Sequence, residues 1–179
     1  MIDLTDEKGI TAALQEYSGA IAGFIFVLQF FTLMTSYNFQ GILILTWIGW
    51  LFLIPGFLLM TLSISALRKY GETEENKSWI KTTMLVDRGV YGVIRHPFSL
   101  GWIILAISLV MISQNWFSVF CMSVQIPLIL VDAKYEEQTC ISKFGVEYTS
   151  YKDNVKMFNI PSGLVRYYFN RRDSSPTLG

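Results

Sequence analysis

Charge is what this sequence most lacks. Asp, Glu, Lys and Arg together make 16% of its 179 residues, against roughly 25% in ordinary soluble domains. The charges are also segregated. None occurs in the 51 residues from Tyr17 to Leu67, and none in the 35 from Pro97 to Val131. Uncharged apolar runs of about 18 residues or more argue for membrane spans, so these gaps exclude an ordinary soluble domain. Cysteine is scarce as well. Cys121 falls in an apolar run and Cys140 in a polar segment, which excludes a disulfide framework and a zinc pattern. Both read as packing residues, and no metal is expected. Positive charge is nearly missing at the start, where "MIDLTDEKGITAALQE" holds four acids and one lysine. A signal peptide needs a positive n-region, so this stretch does not read as one. The formal net charge is zero and by itself says nothing about nucleic acid; no nucleic-acid partner is expected of a membrane chain. No internal repeat or low-complexity tract is visible, and the closing "NRRDSSPTLG" reads as disordered.

What is present is apolar surface, 52% of the residues. About 20 residues cross a bilayer, so the first block holds two spans. Its break is "SYNFQG" at 36–41, giving spans near 18–36 and 42–66, the second with a kink expected at Pro55–Gly56. The second block breaks at "SQN", 113–115. Its halves are about 16 residues each, and the later one gains length by continuing through "VDAKYEEQTC" into water. The expectation is four helices, the last two a tight hairpin turning at Gln114–Asn115.

Basic residues near helix ends set orientation. The loop 68–96 carries Arg68, Lys69, Lys77, Lys81, Arg88 and Arg95, and seven more Lys and Arg follow Val131. The two short turns carry none. Four spans place both termini and the long loop on one side, so all three are expected in the cytoplasm.

Polar chemistry then has two places to live. The loop ends in "TTMLVDRGVYGVIRHP". Asp87-Arg88-Gly89 reads as a turn, and Gly89 and Gly92 permit close backbone approach. His96, the only histidine, is either a snorkelling anchor at the membrane edge or a functional group. Arg95 is either a positive flank or its partner. Pro97 suits the first turn of the next span, where its missing N–H costs little. In the tail, Glu136 and Glu137 lie about one and a half helical turns beyond the charge-free block. Successive helical residues point about 100° apart, so one glutamate can face water and the other inward. Phe144, Tyr148, Tyr151 and Val155 form an apolar stripe at spacings of four, three and four. Gly145 is expected to break the preceding helix. The tail helix either folds back to roof the Arg–His loop or lies on the bilayer surface.

The run "GVYGVIRHPFSLG", an apolar hairpin and "YEEQTCISKFGVEYTSYKDNV" resemble the isoprenylcysteine carboxyl methyltransferase family and its phospholipid methyltransferase relatives. Gly89, Tyr91, Arg95, His96, Pro97 and Gly101 match the first part of the family pattern. Glu136 and Glu137 match the second, and Phe144, Gly145, Tyr148 and Tyr151 the third. The resemblance covers residues 85 to 160. Ser99 stands where a tyrosine is usual, and Lys156, five before Pro161, is the nearest candidate for a basic residue before the closing proline. Both departures lie where relatives with different acceptors also differ.

The resemblance implies an all-α integral membrane bundle of about four transmembrane helices. Its cytoplasmic cofactor pocket would be formed by the loop before the third span and the C-terminal helices. One domain, 1–179, is expected: N-terminal spans and loop over 1–84, a cofactor-binding core over 85–161, and a tail over 162–179. The implied methyl donor is S-adenosylmethionine. Arg95 and His96 would meet its carboxylate by charge-assisted bonds, and Glu136 or Glu137 its ammonium. Tyr91, Tyr148 or Tyr151 would stack on adenine or face the sulfonium. Pro97 belongs to the same binding set, and Arg95 and Glu137 are the expected catalytic residues. The acceptor is expected to be lipophilic and held in the membrane lipid, most like an isoprenylcysteine carboxylate. A phospholipid amine or a thiol is the alternative. A sterol reductase also carries an Arg-His-Pro motif but has more spans, and a non-enzymatic scaffold would leave the ordered motifs as coincidence.

Overall fold

In hydrocarbon every backbone N–H and C=O must be bonded within its own segment, and a helix does this locally. The described residues of both charge-free blocks fold accordingly. The computed structural model describes residues 7–35, 41–71 and 83–165, and all regular structure among them is helical. In order these are α1 (Glu7–Thr35), α2 (Leu43–Tyr70), a 3-10 turn (Gly89–Gly92), α3 (Pro97–Ser113), α4 (Trp116–Phe144) and α5 (Val146–Asn154). A last helical stretch covers 160–165. Among the described residues three helical segments are long and apolar enough to cross a membrane: Glu16–Thr35, Leu43–Tyr70 and Trp116–Phe144. α3 is a shorter apolar helix of 17 residues, roughly 25 Å long at about 1.5 Å per residue.

The boundaries refine the sequence reading. α1 starts at Glu7 rather than near 18, because the polar stretch 7–16 joins the same helix. α2 ends at Tyr70 rather than 66 and is continuous through Pro55. The hairpin turns where expected: α3 stops at Ser113, Gln114 adopts a positive φ of 47°, and α4 begins at Trp116. Asn115 Oδ1 accepts the N–H of Phe117 at 2.8 Å and so caps α4. α4 has 29 residues, roughly 43 Å, which exceeds a hydrocarbon core of about 30 Å. The closing "NRRDSSPTLG" lies outside the described residues.

The chain divides into two compact units, Met1–Leu58 with Gly101–Thr139, and Leu59–Leu100 with Cys140–Gly179. The first has the polarity of a membrane protein. Phe24, Phe31, Trp47 and Ile54 face outward, while Ser18, Gln29, Ser108, Ser113, Ser118 and Gln125 are fully buried. Leu33, Leu109 and Ile112 form its apolar centre, with Phe26 and Leu53 against them. Gln29 ties three helices together. Its Nε2 donates to the Ala106 carbonyl and to Ser118 Oγ, both at 2.9 Å, and its Oε1 accepts from Gln125 Nε2 at 2.9 Å. Gln114 pins the hairpin to the start of α2. Its Oε1 accepts the N–H of Ile42 at 2.7 Å and its Nε2 donates to the Ile42 carbonyl at 2.9 Å.

In the second unit, the N–H groups of Thr83 and Met84 both donate to the Gly71 carbonyl, so the chain returns to the end of α2 after residues 72–82. Gly89 takes a φ of +64° and Gly145 one of +56°, conformations that L side chains rarely adopt. Gly89 starts the 3-10 turn, and Gly145 ends α4 and starts α5. The expected stripe is a core cluster here: Tyr148, Tyr151 and Val155 are buried, with Leu85, Cys140 and Phe144 packed on them.

Candidate functional site

The segment 89–96 belongs to the second unit and is tied to it by bonds that main-chain carbonyls accept. The N–H of Arg95 donates to the Lys156 carbonyl at 3.1 Å and the N–H of His96 to the Met157 carbonyl at 3.4 Å. Two successive carbonyls of the chain after α5 thereby meet the N–H groups of the two motif residues. Arg95 Nη1 donates to the Lys152 carbonyl at 3.0 Å, at the C-terminal end of α5. That end carries the negative pole of the helix dipole, so a guanidinium is well placed there. Tyr151 Oη donates to the Tyr91 carbonyl at 2.8 Å. Four bonds therefore clamp 91–96 between α5 and the residues that follow it.

The side chains take distinct stations. His96 is 4% exposed and precedes α3, where its carbonyl accepts the N–H of Leu100 at 3.0 Å. Pro97 occupies the first helical position with no N–H to satisfy. Ser99, the departure from the family pattern, is buried one turn on. Arg95 and Tyr91 are half-buried. Tyr148 and Tyr151 are 4% and 9% exposed, with ring centroids 5.7 Å apart at 56°. They are core residues that hold the motif segment in place. Burial pushes the Tyr151 phenol well above its ordinary range, and the neighbouring Tyr148 and Tyr91 add to the effect against the opposing charge of Arg95. On α4, in the first unit, Glu136 is exposed and Glu137 is 6% exposed. That is the division of labour expected of adjacent helical carboxylates. No group of three or more His, Cys, Asp or Glu suited to a metal occurs among the described residues.

Two features were not legible beforehand. Lys156, singled out as a basic side chain, contributes its carbonyl to Arg95, and Met157 does the same for His96. A carbonyl partner is common to every residue and leaves no mark in the sequence.

Residues 44–147 match the phospholipid methyltransferase family. The chain belongs to this family. No curated protein and no solved structure was found to match it. The matched region holds Tyr91, Arg95, His96, Pro97, Glu136 and Glu137 and stops just short of Tyr148 and Tyr151. Membership in the phospholipid methyltransferase family makes methyl transfer at a membrane the reaction class. It calls for a methyl donor and an acceptor of lipid type.

Proposed function

We propose that the chain moves a methyl group from S-adenosylmethionine to a lipophilic acceptor, at the cytoplasmic face of its membrane. The observation that carries the reading is the burial of two ionisable side chains, His96 and Glu137, within the matched family region. Ionisable groups buried at the edge of an apolar bundle are costly and mark functional sites.

The donor set suits the proposed co-substrate. A guanidinium carries five N–H donors in a planar fork, and the bond from Nη1 to the Lys152 carbonyl fixes the plane of that fork. Arg95 with His96 matches a carboxylate. Glu137, with Glu136 on its solvent side, matches an ammonium. Of the three tyrosines, Tyr91 is the one outside the packed cluster and is assigned to the adenine or sulfonium. Pro97 sets the start of α3 under His96. When bound, the donor supplies an activated methyl carbon. The chain's own work is to hold donor and acceptor in line and to keep water out. A carboxylate acceptor needs a cation to orient it, which Arg95 supplies. An amine acceptor must first lose a proton, which Glu137 takes.

The motif run favours a carboxylate like that of a prenylated cysteine. The phospholipid methyltransferase match favours a phospholipid amine as the second reading. Isothermal titration of S-adenosylmethionine into purified protein tests the donor site. His96→Ala, Arg95→Ala and Glu137→Gln should each weaken binding at least tenfold while the protein stays folded in detergent. Wild-type affinity in all three would assign these charges to helix anchoring. Methyl transfer to a panel of prenylcysteine, aminophospholipid and thiol acceptors then selects the acceptor.

A further inference from the structure

The second unit holds a groove of about 480 Å³ that the methyl-transfer reading does not use. One wall is the last three turns of α2, from Leu59 through Leu62 and Ala66 to Lys69 and Tyr70. The second is the segment that leads into the Arg–His motif, with Val90, Val93 and Ile94, and the third is Ile160 and Leu164. Two glycines bring these walls together. Gly89 lies against Ala66 and Tyr70, where an added Cβ would sit 3.7 Å from each. A Cβ on Gly163 would collide with the Val93 carbonyl. The groove is therefore a built feature of the backbone.

Its shape and charge name an occupant. From Leu59 to Lys69 is ten helical residues, roughly 15 Å at about 1.5 Å per residue. That equals one leaflet of a hydrocarbon core about 30 Å thick. The apolar part of the groove belongs to a helix apolar enough to span a membrane. Its far end carries Lys69, in the last turn of α2 beside Arg68. The Lys69 ammonium is held 5.2 Å from the centroid of the Tyr70 ring, and both residues line the groove. Among the described residues no acidic side chain lines it. We propose that this groove binds one acyl chain of an anionic membrane lipid, with the head group at Lys69. Basic residues at the end of a membrane helix attract anionic lipid, and here the cation stands at the end of a slot one leaflet deep.

The groove is lined by residues other than those assigned to methyl transfer. The Tyr91 carbonyl and the Arg95 side chain are bonded to α5, whereas Val90, Val93 and Ile94 line the groove. A lipid seated there would brace the motif segment on the side that α5 does not cover.

Native mass spectrometry of the full chain, released from detergent with added phosphatidylglycerol or phosphatidylcholine, tests the proposal without any methyl donor. It is therefore independent of the activity. One phosphatidylglycerol should be retained per chain, with about a fivefold preference over phosphatidylcholine, as one basic residue near the head group provides. Lys69→Gln should abolish the preference. Leu62→Trp should remove the retained lipid by filling the slot. Leu62 is 45% exposed, so the larger ring need not disturb the fold, which circular dichroism of each variant is to check. Equal retention of both lipids by the wild type, or retention unchanged in folded Leu62→Trp, would mean annular lipid only and would overturn the proposal.

Discussion

Tyr151 shows how much of this site is set by single hydrogen bonds to the main chain. Its phenol is buried and donates to the Tyr91 carbonyl, so Tyr151→Phe keeps the packing and removes one hydrogen bond. The expected cost is about 1 kcal/mol, read as a lower midpoint in detergent unfolding. Its pH dependence has a definite sign. Burial raises the folded-state pKa above the ordinary value of about 10. The stability linked to this proton is therefore intact below about pH 10. It falls as pH rises further, because the unfolded chain releases the proton first. Tyr151→Phe should flatten that alkaline fall, and an equally steep fall in the variant would assign it to other groups. Lys156 makes the opposite case. Its side chain is exposed and its carbonyl holds Arg95, so Lys156→Ala should leave unfolding within about 0.5 kcal/mol of wild type. Loss of methyl transfer in that stable variant would show that the side chain orients the acceptor.

Among the elements, the joint between α4 and α5 and the polar seam between α1, α3 and α4 depend on different physics. Gly145 sits at φ 56°, ψ −124°, and an added Cβ would meet nothing within 4 Å. Gly145→Ala should therefore cost about 1–3 kcal/mol through backbone strain alone. It should also loosen α5, which limited proteolysis between 144 and 155 would detect. Gln29 stabilises through bonds. Gln29→Leu removes the donors to Ala106 and Ser118 and the acceptor for Gln125. Polar contacts between membrane helices average about 0.6 kcal/mol and reach about 1.7. A loss near the upper figure is expected in denaturant titration, since three partners are affected together. A stability above wild type would show that the seam serves packing specificity rather than stability.

At the scale of the whole molecule, α1, α2 and α4 are long and apolar enough to span, and α3 is the shorter arm of a hairpin with α4. We propose four crossings with both termini in the cytoplasm, on the distribution of basic residues. Arg88 and Trp116 are suited to report this, with side chains 78% and 88% exposed. With Cys121 and Cys140 replaced, Arg88→Cys should react with an impermeant maleimide only from the cytoplasmic side and Trp116→Cys only from the other. The reverse pattern would invert the topology and move the methyl-transfer site to the opposite face.

The spans, the break at Gln114–Asn115 and the stripe from Phe144 to Val155 were determined by the sequence itself. Each rests on local chemistry: absence of charge over a bilayer's thickness, residues that leave a helix easily, and the helical period. The opposite fates of Glu136 and Glu137 follow from the same period. What holds the Arg–His segment was decided only in the tertiary structure. Its partners include the carbonyls of Lys152, Lys156 and Met157, and any residue there would offer the same oxygen. Gln29 reads in sequence as an isolated polar residue in a span. Its meaning depends on Ser118 and Gln125, which lie 89 and 96 residues away. The groove is equally non-local. Gly163 is an ordinary glycine until folding sets it against the Val93 carbonyl, because close approach is a property of two backbones and is written in neither alone.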